Sequence, residues 1–235
     1  MLIYIIGILE YNIFCTKIKS NFFGTISKII ADIDFSKIDG AIISSVVPTV
    51  TITMKRAIKK ITGCDAMIIG PGIKTGLSIV IDNPAQLGSD LVVDAVAGIH
   101  EYGAPIIIFD LGTATTISVV DKNNNYIGGV IMPGMGISLN AMVSGTSQLP
   151  RISLEEPKKI IGSNTVDCMK SGILYGTASS MDGMIERIKE EIGEAKVVAT
   201  GGLASTVVPH CKNDIILDDE LLLKGLMIIY NLSLI

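Results

Sequence analysis

The strongest constraint on the fold is one continuous stretch, IIIFDLGTATTISVVDKNNNYIGGVI, from Ile106 to Ile131. It holds three β-prone runs, Ile106–Phe109, Thr116–Val120 and Tyr126–Ile131. The first two are joined by the turn LGTAT and the last two by Lys122-Asn123-Asn124-Asn125. Apolar runs this short, broken by Gly and Asn, form hairpins rather than helices. A sheet therefore starts anew near residue 105, just after Gly103 and Pro105.

Further strand-like runs stand at Leu2–Ile6, Ala41–Val47, Met67–Ile69, Leu77–Ile81 and Lys196–Thr200. Apolar residues at three- and four-residue spacing predict helices over Thr51–Ile61, Leu91–Glu101, Ile137–Val143, Val166–Ile192 and Glu220–Leu234. Strands followed by helices, with a hairpin among them, describe an α/β protein with mixed sheets. The chain has 235 residues, enough for one large domain or two small ones. The new sheet near 105 divides it into an N-terminal lobe, 1–104, and a C-terminal lobe, 105–235.

Charge and composition exclude some functions. A net charge of −4 and the lack of a basic stripe argue against a general nucleic-acid binder, which needs clustered Lys and Arg. The longest apolar stretches fall short of the roughly 20 residues that span a bilayer. The start carries neither a basic n-region nor a small-residue cleavage site, so a cytoplasmic location is the default expectation. Cys15, Cys64, Cys168 and Cys211 lie far apart, and the plain reading is reduced, buried thiols. His100 and His210 are isolated, which argues against a dedicated transition-metal site. Met135, Met142, Met169, Met181 and Met184 read as core or interface filler.

Three glycine-bearing strand ends carry the candidate chemistry. In DLGTATT, Asp110 to Thr116, a turn that offers backbone N–H groups and hydroxyls could surround phosphate oxygens, while the strand-end acid holds a cation. The plainer alternative is a hairpin whose threonines are good strand residues and whose Asp110 caps a turn. VATGGLA, Val198 to Ala204, ends a strand in a glycine pair where a backbone could approach a ring or phosphate closely, and GGVIMPG, Gly128 to Gly134, adds more glycines. For these last two, each weak alone, ordinary turns are the plainer reading.

DLGTATT (110–116) and ATGGLA (199–204), taken together with SSVVP (44–48), KTGL (74–77), DNPAQLGSD (82–90), LPRISL (149–154), IGSNTVDCMKSGILYG (161–176), MDGMIERIKEE (181–191) and LLLKGLMIIY (221–230), resemble, in order, the motifs of the type III pantothenate kinases. That family belongs to the actin, Hsp70 and sugar kinase superfamily, and the resemblance covers roughly residues 40–235. It implies two ribonuclease-H-like lobes with a nucleotide cleft between them, a homodimer, and transfer of the ATP γ-phosphoryl group to pantothenate. It implies ATP, Mg2+ and a monovalent cation, K+ or NH4+, as cofactors. By the same resemblance Asp110 holds the monovalent cation, Gly112, Thr113, Gly201 and Gly202 bind ATP, and Asp90 is the proton acceptor. Gly88, Ser89, Asp90 and Leu91 match the family's Gly-Ala-Asp-Arg substrate motif, and Thr165 contacts pantothenate. Both Asp90 and Thr165 also read as helix N-caps.

The chain departs from that family at four places. The usual opening Asp-x-Gly-Asn-Thr, which cradles phosphates, is replaced by MLIYIIGILEYNIF, with Gly7 present, Glu10 the nearest carboxylate and Asn12 the nearest amide. The polar stretch that ordinarily follows is shortened between Phe14 and Ile29. Leu91 stands in place of an arginine whose charged fork could orient a carboxylate, and Ile81 in place of a tyrosine. Three readings follow: a pantothenate kinase with an atypical N-terminus, a non-catalytic relative that binds a ligand or partner, and a kinase for a more apolar acceptor.

Overall fold

The computed structural model describes residues 3–9, 12–18, 38–45 and 48–234. Glu10 lies outside them, as does most of the segment between Phe14 and Ile29. The chain forms two compact units, one of residues 1–77, 82–97 and 221–235, the other of 78–81 and 98–220.

The first unit is built on a mixed sheet of order β2-β1-β3-β4. Its strands are β1 (Ile3–Leu9), β2 (Asn12–Ile18), β3 (Ile38–Ser44) and β4 (Met67–Ile68). β1 runs antiparallel to β2 and β3, and β3 parallel to β4. β3 is apolar on both sides because both sides are covered. Ala41 and Ile43 pack with Met54 and Ile58 of α1 (Pro48–Thr62), while Ile42 packs with Val93 and Val96 of α2 (Ser89–Tyr102) and with Leu222, Leu226 and Ile229. Those last three belong to the final helix (Leu221–Leu232), which a linear division at 104/105 assigns to the second lobe. Gly225 makes that packing possible: a Cβ there would strike the Val93 carbonyl. Two helices can approach this closely only where a side chain is missing.

The second unit holds a six-stranded mixed sheet of order β10-β9-β6-β7-β8-β5. The stretch Ile106–Ile131 becomes β6 (Ile106–Leu111), β7 (Ala114–Val120) and most of β8 (Asn125–Pro133), an antiparallel meander with both turns where the glycine and asparagines stand. Asn124 takes a positive φ in the second turn, and Asp121 accepts the amides of Asn123 and Asn125. β9 (Lys196–Thr200) joins β6 in parallel, β10 (Ile216–Leu217) extends it, and β5 (Ser78–Ile79) closes the far edge beside β8.

One face of this sheet presents Ile107, Phe109, Ile117, Val197 and Ala199 to α3 (Met135–Gly145) and α4 (Thr165–Ile192). α4 answers with Met169, Ile173, Ala178, Met181, Ile185 and Ile188, an apolar stripe at helical spacing. The five methionines singled out above are all in this core or packed against it. The short helix α5 (Ala204–Val207) follows β9, so the final helix is α6.

The thiols differ from the expectation of burial. Cys64 and Cys211 are half-buried and Cys168 is exposed, all three unbridged, because Cys168 falls on the solvent side of the α4 stripe.

Candidate functional site

β6 and β9 run parallel, and both end in the second unit at glycine-bearing turns, so their last residues share a sheet edge. Asp110 is paired in register with Thr116 on β7 and with Thr200 on β9. Register partners project to the same face, so the carboxylate stands between two threonine positions. Thr200 is buried, Thr113 is exposed, and Asp110 is half-buried.

Glycines let the backbone close in on that carboxylate. Gly201 has φ +95°, and a Cβ on it would strike Asp110 Oδ1 and lie 2.7 Å from the Leu111 amide nitrogen. A Cβ on Gly112 would stand 3.6 Å from the same Oδ1. Gly134, the N-cap of α3, does the same on the far side of the turn: a Cβ there would strike the Thr113 carbonyl and lie 2.7 Å from the Gly112 carbonyl. The turn 111–114 is therefore held between two glycine backbones, with Leu203 N–H donating to the Leu111 carbonyl at 3.3 Å. Gly202, by contrast, has nothing within 4 Å of its Cβ position. Of these residues the sequence marks Asp110, Gly112, Thr113, Gly201 and Gly202, while Gly134 stands only in a generic glycine-rich strand end; the signal for it is its position one residue before an apolar helix.

In the first unit the stretch 88–91 forms the start of α2. The helix begins at Ser89, and Gly88 O accepts the Val92 amide, so Asp90 lies in the first turn and is not the N-cap the sequence suggests. Its Oδ1 instead accepts the Leu91 amide at 3.0 Å. A Cβ on Gly88 would come within 2.5 Å of that oxygen. Ser89 Oγ lies 3.0 Å from Ser44 Oγ at the end of β3. Leu91 is half-buried.

Thr165 is exposed at the first position of α4. The cap is Asn164, whose side chain accepts the Asp167 amide at 2.9 Å, because an amide or carboxylate side chain reaches the N3 donor more readily than the β-branched threonine that follows. Within the second unit Asp110, Gly112, Gly134 and Gly201 come together.

Gly7, the counterpart of the family's first glycine turn, lies inside the β1 ladder, paired with Phe14 and Ala41. Among the described residues no group of three His, Cys, Asp or Glu side chains could hold a metal ion, and no helix is long and apolar enough to cross a membrane.

Residues 17–187 match the family model described as type III pantothenate kinase. A type III pantothenate kinase of Halalkalibacterium halodurans is 47% identical over 201 residues, which cover 85% of this chain and 79% of that one. One from an Exiguobacterium species is 42% identical over 200 residues with the same coverage. Among solved structures, a Campylobacter jejuni protein described as a conserved Baf family transcriptional activator superposes with a TM-score of 0.58 at 17% identity, over 94% of this chain and 90% of that one. At that identity the likeness concerns the α/β fold alone. With a family match over most of its length and relatives above 40% identity, the chain belongs to the type III pantothenate kinase family.

Proposed function

We propose that the protein transfers the γ-phosphoryl group of ATP to the primary hydroxyl of pantothenate, giving 4'-phosphopantothenate, the first step toward coenzyme A. The observation that carries this is the family match over residues 17–187, a span that includes Asp90, Asp110, Thr113 and Thr165.

Phosphoryl transfer asks a protein chiefly for position and charge compensation. Asp90 accepts the proton of the attacking hydroxyl, and Gly88, Ser89, Leu91 and Thr165 line the acceptor. Gly112 and Thr113 meet the phosphates, Thr113 with its exposed hydroxyl, and Gly201 and Gly202 bind ATP beside them, Gly202 facing open space. Asp110 holds K+ or NH4+. A single carboxylate suits a weakly held monovalent cation better than a divalent one, which takes several oxygen ligands. Mg2+ arrives with ATP and offsets phosphate charge. The protein works as a cytoplasmic homodimer.

A second reading, a relative without turnover, is favoured by one observation: Gly7 sits inside a strand ladder, so it forms no strand-end phosphate turn. A coupled assay with ATP, Mg2+, K+ and pantothenate separates the two. Turnover is expected, falling about 10²–10⁴-fold in Asp90→Asn, the range for losing a general base. Folded wild-type protein without turnover on pantothenate, or Asp90→Asn with undiminished turnover, sinks the first reading.

A further inference from the structure

We infer that Ser44 is a positioning residue for Asp90, acting through the hydroxyl of Ser89; this rests on Asp90 being the proton acceptor proposed above. Ser44 is the last residue of β3 and is 2% exposed, and it follows Ile42 and Ile43, both fully buried. Its backbone is thus anchored in the first unit's core. Its Oγ lies 3.0 Å from Ser89 Oγ, 45 residues further along, and either hydroxyl can donate. Ser89 opens α2 and is bonded directly to Asp90.

That tether acts where the helix is weakest. The first turn of a helix has no intrahelical acceptors for its N–H groups and is prone to fray. Here its opening bond, Val92 N–H to Gly88 O, is long at 3.3 Å. The Asp90 carboxylate is folded back over this turn, with Oδ1 on the Leu91 amide and against the bare backbone of Gly88. Both of those restraints move with the turn itself. The Ser44–Ser89 hydrogen bond links the turn to a strand fixed on both faces, and so sets where the carboxylate stands. This gives the SSVVP motif a task the proposed chemistry leaves unassigned.

The test compares wild type, Ser44→Ala, Ser44→Thr, Ser89→Ala, the Ser44→Ala/Ser89→Ala double variant and Asp90→Asn in the coupled assay, with thermal midpoints. A misplacement of order 1 Å costs as much as about 100-fold in rate, so loss of the tether lowers kcat about 10-fold or more while KM for ATP stays unchanged. The double variant is no slower than either single one, because both remove the same bond. Ser44→Thr, which keeps the hydroxyl, restores most of the rate. If Ser44→Ala does not fold, Ser44→Cys, which keeps the side chain's shape but hydrogen-bonds only weakly, carries the comparison. Wild-type kcat in Ser44→Ala and Ser89→Ala, even with lowered thermal midpoints, overturns the inference while an inactive Asp90→Asn leaves the proton acceptor standing. A wild-type chain without turnover overturns the Asp90 assignment and the positioning role together.

Discussion

Gly201 and Gly202 are neighbours with opposite surroundings. Gly201 carries a positive φ and abuts Asp110 Oδ1, whereas Gly202 faces open space. Alanine at Gly201 must relax a left-handed backbone, at a cost of about 1–2 kcal/mol, and must push the carboxylate aside. Gly201→Ala is expected to lower the thermal midpoint and abolish activation by K+, read by replacing K+ with a bulky organic cation. Gly202→Ala is expected to keep the wild-type midpoint and raise KM for ATP. Equal effects of both substitutions on midpoint and K+ activation would show that the cradle plays no part. Asp110 and its glycines are legible in the sequence because an acid and glycines at two strand ends converge once those strands pair in parallel. Ser44 and Asn164 are less so. A hydroxyl gives no hint of a partner 45 residues away, and Asn164 and Thr165 are adjacent good capping types whose choice is settled by which side chain reaches the Asp167 amide.

At the scale of elements, α4 is the longest helix described, and its burial stripe is plain in its apolar spacing. What the spacing does not disclose is Asp182, a carboxylate on the buried side. It accepts both backbone amides of Lys212 and Asn213 and the Asn213 side-chain amide, at 2.9–3.0 Å, pinning the loop that leads into β10. Burial pushes its pKa up, but the Asn213 side chain and the backbone donors outweigh that, and the net shift is downward from 3.8. Beside it, burial and then the Asp182 charge push the Cys211 thiol up to about 11, so that thiol stays protonated and unreactive at neutral pH. Because the folded carboxyl binds its proton less readily than the unfolded one, its stabilising effect is complete above the ordinary value of 3.8 and disappears as pH falls through the lowered folded value. Asp182→Asn is therefore expected to lower the thermal midpoint at neutral pH, with the gap from wild type narrowing below about pH 4. A gap that stays constant down to about pH 2.5 would mean that the charge contributes nothing. Element existence is legible here for a related reason: the Ile106–Ile131 meander and the five longer helices follow period and punctuation. β2 and β10 do not, since β2 lacks clean alternation and β10 is two residues held mainly by β9.

At the scale of the whole molecule, chain order and spatial order part at the C-terminus. The sequence reads α6 as an apolar helix, but an apolar stripe carries no address, and a division by chain order keeps it with its neighbours. Its address is written in Gly225, which allows the helix against the Val93 backbone, and in Tyr230, whose hydroxyl occupies the room left by the missing side chain of Gly40. Leu222, Leu226 and Ile229 then complete the cluster around Ile42, Val93 and Val96. Three such side chains contribute about 5–9 kcal/mol of hydrophobic stabilisation, comparable to the net stability of a typical domain. The first unit thus depends on the last residues of the chain, whereas the core of the second is complete without them. A chain ending at Glu220 is expected to lose hydrogen-exchange protection at the Ile42, Ile43 and Val93 amides and to keep it at Ile107, Phe109 and Val198. Protection retained at Ile42 and Val93 in that shortened chain would mean that α1 and α2 hold β3 by themselves, and that the return of α6 covers a core already made.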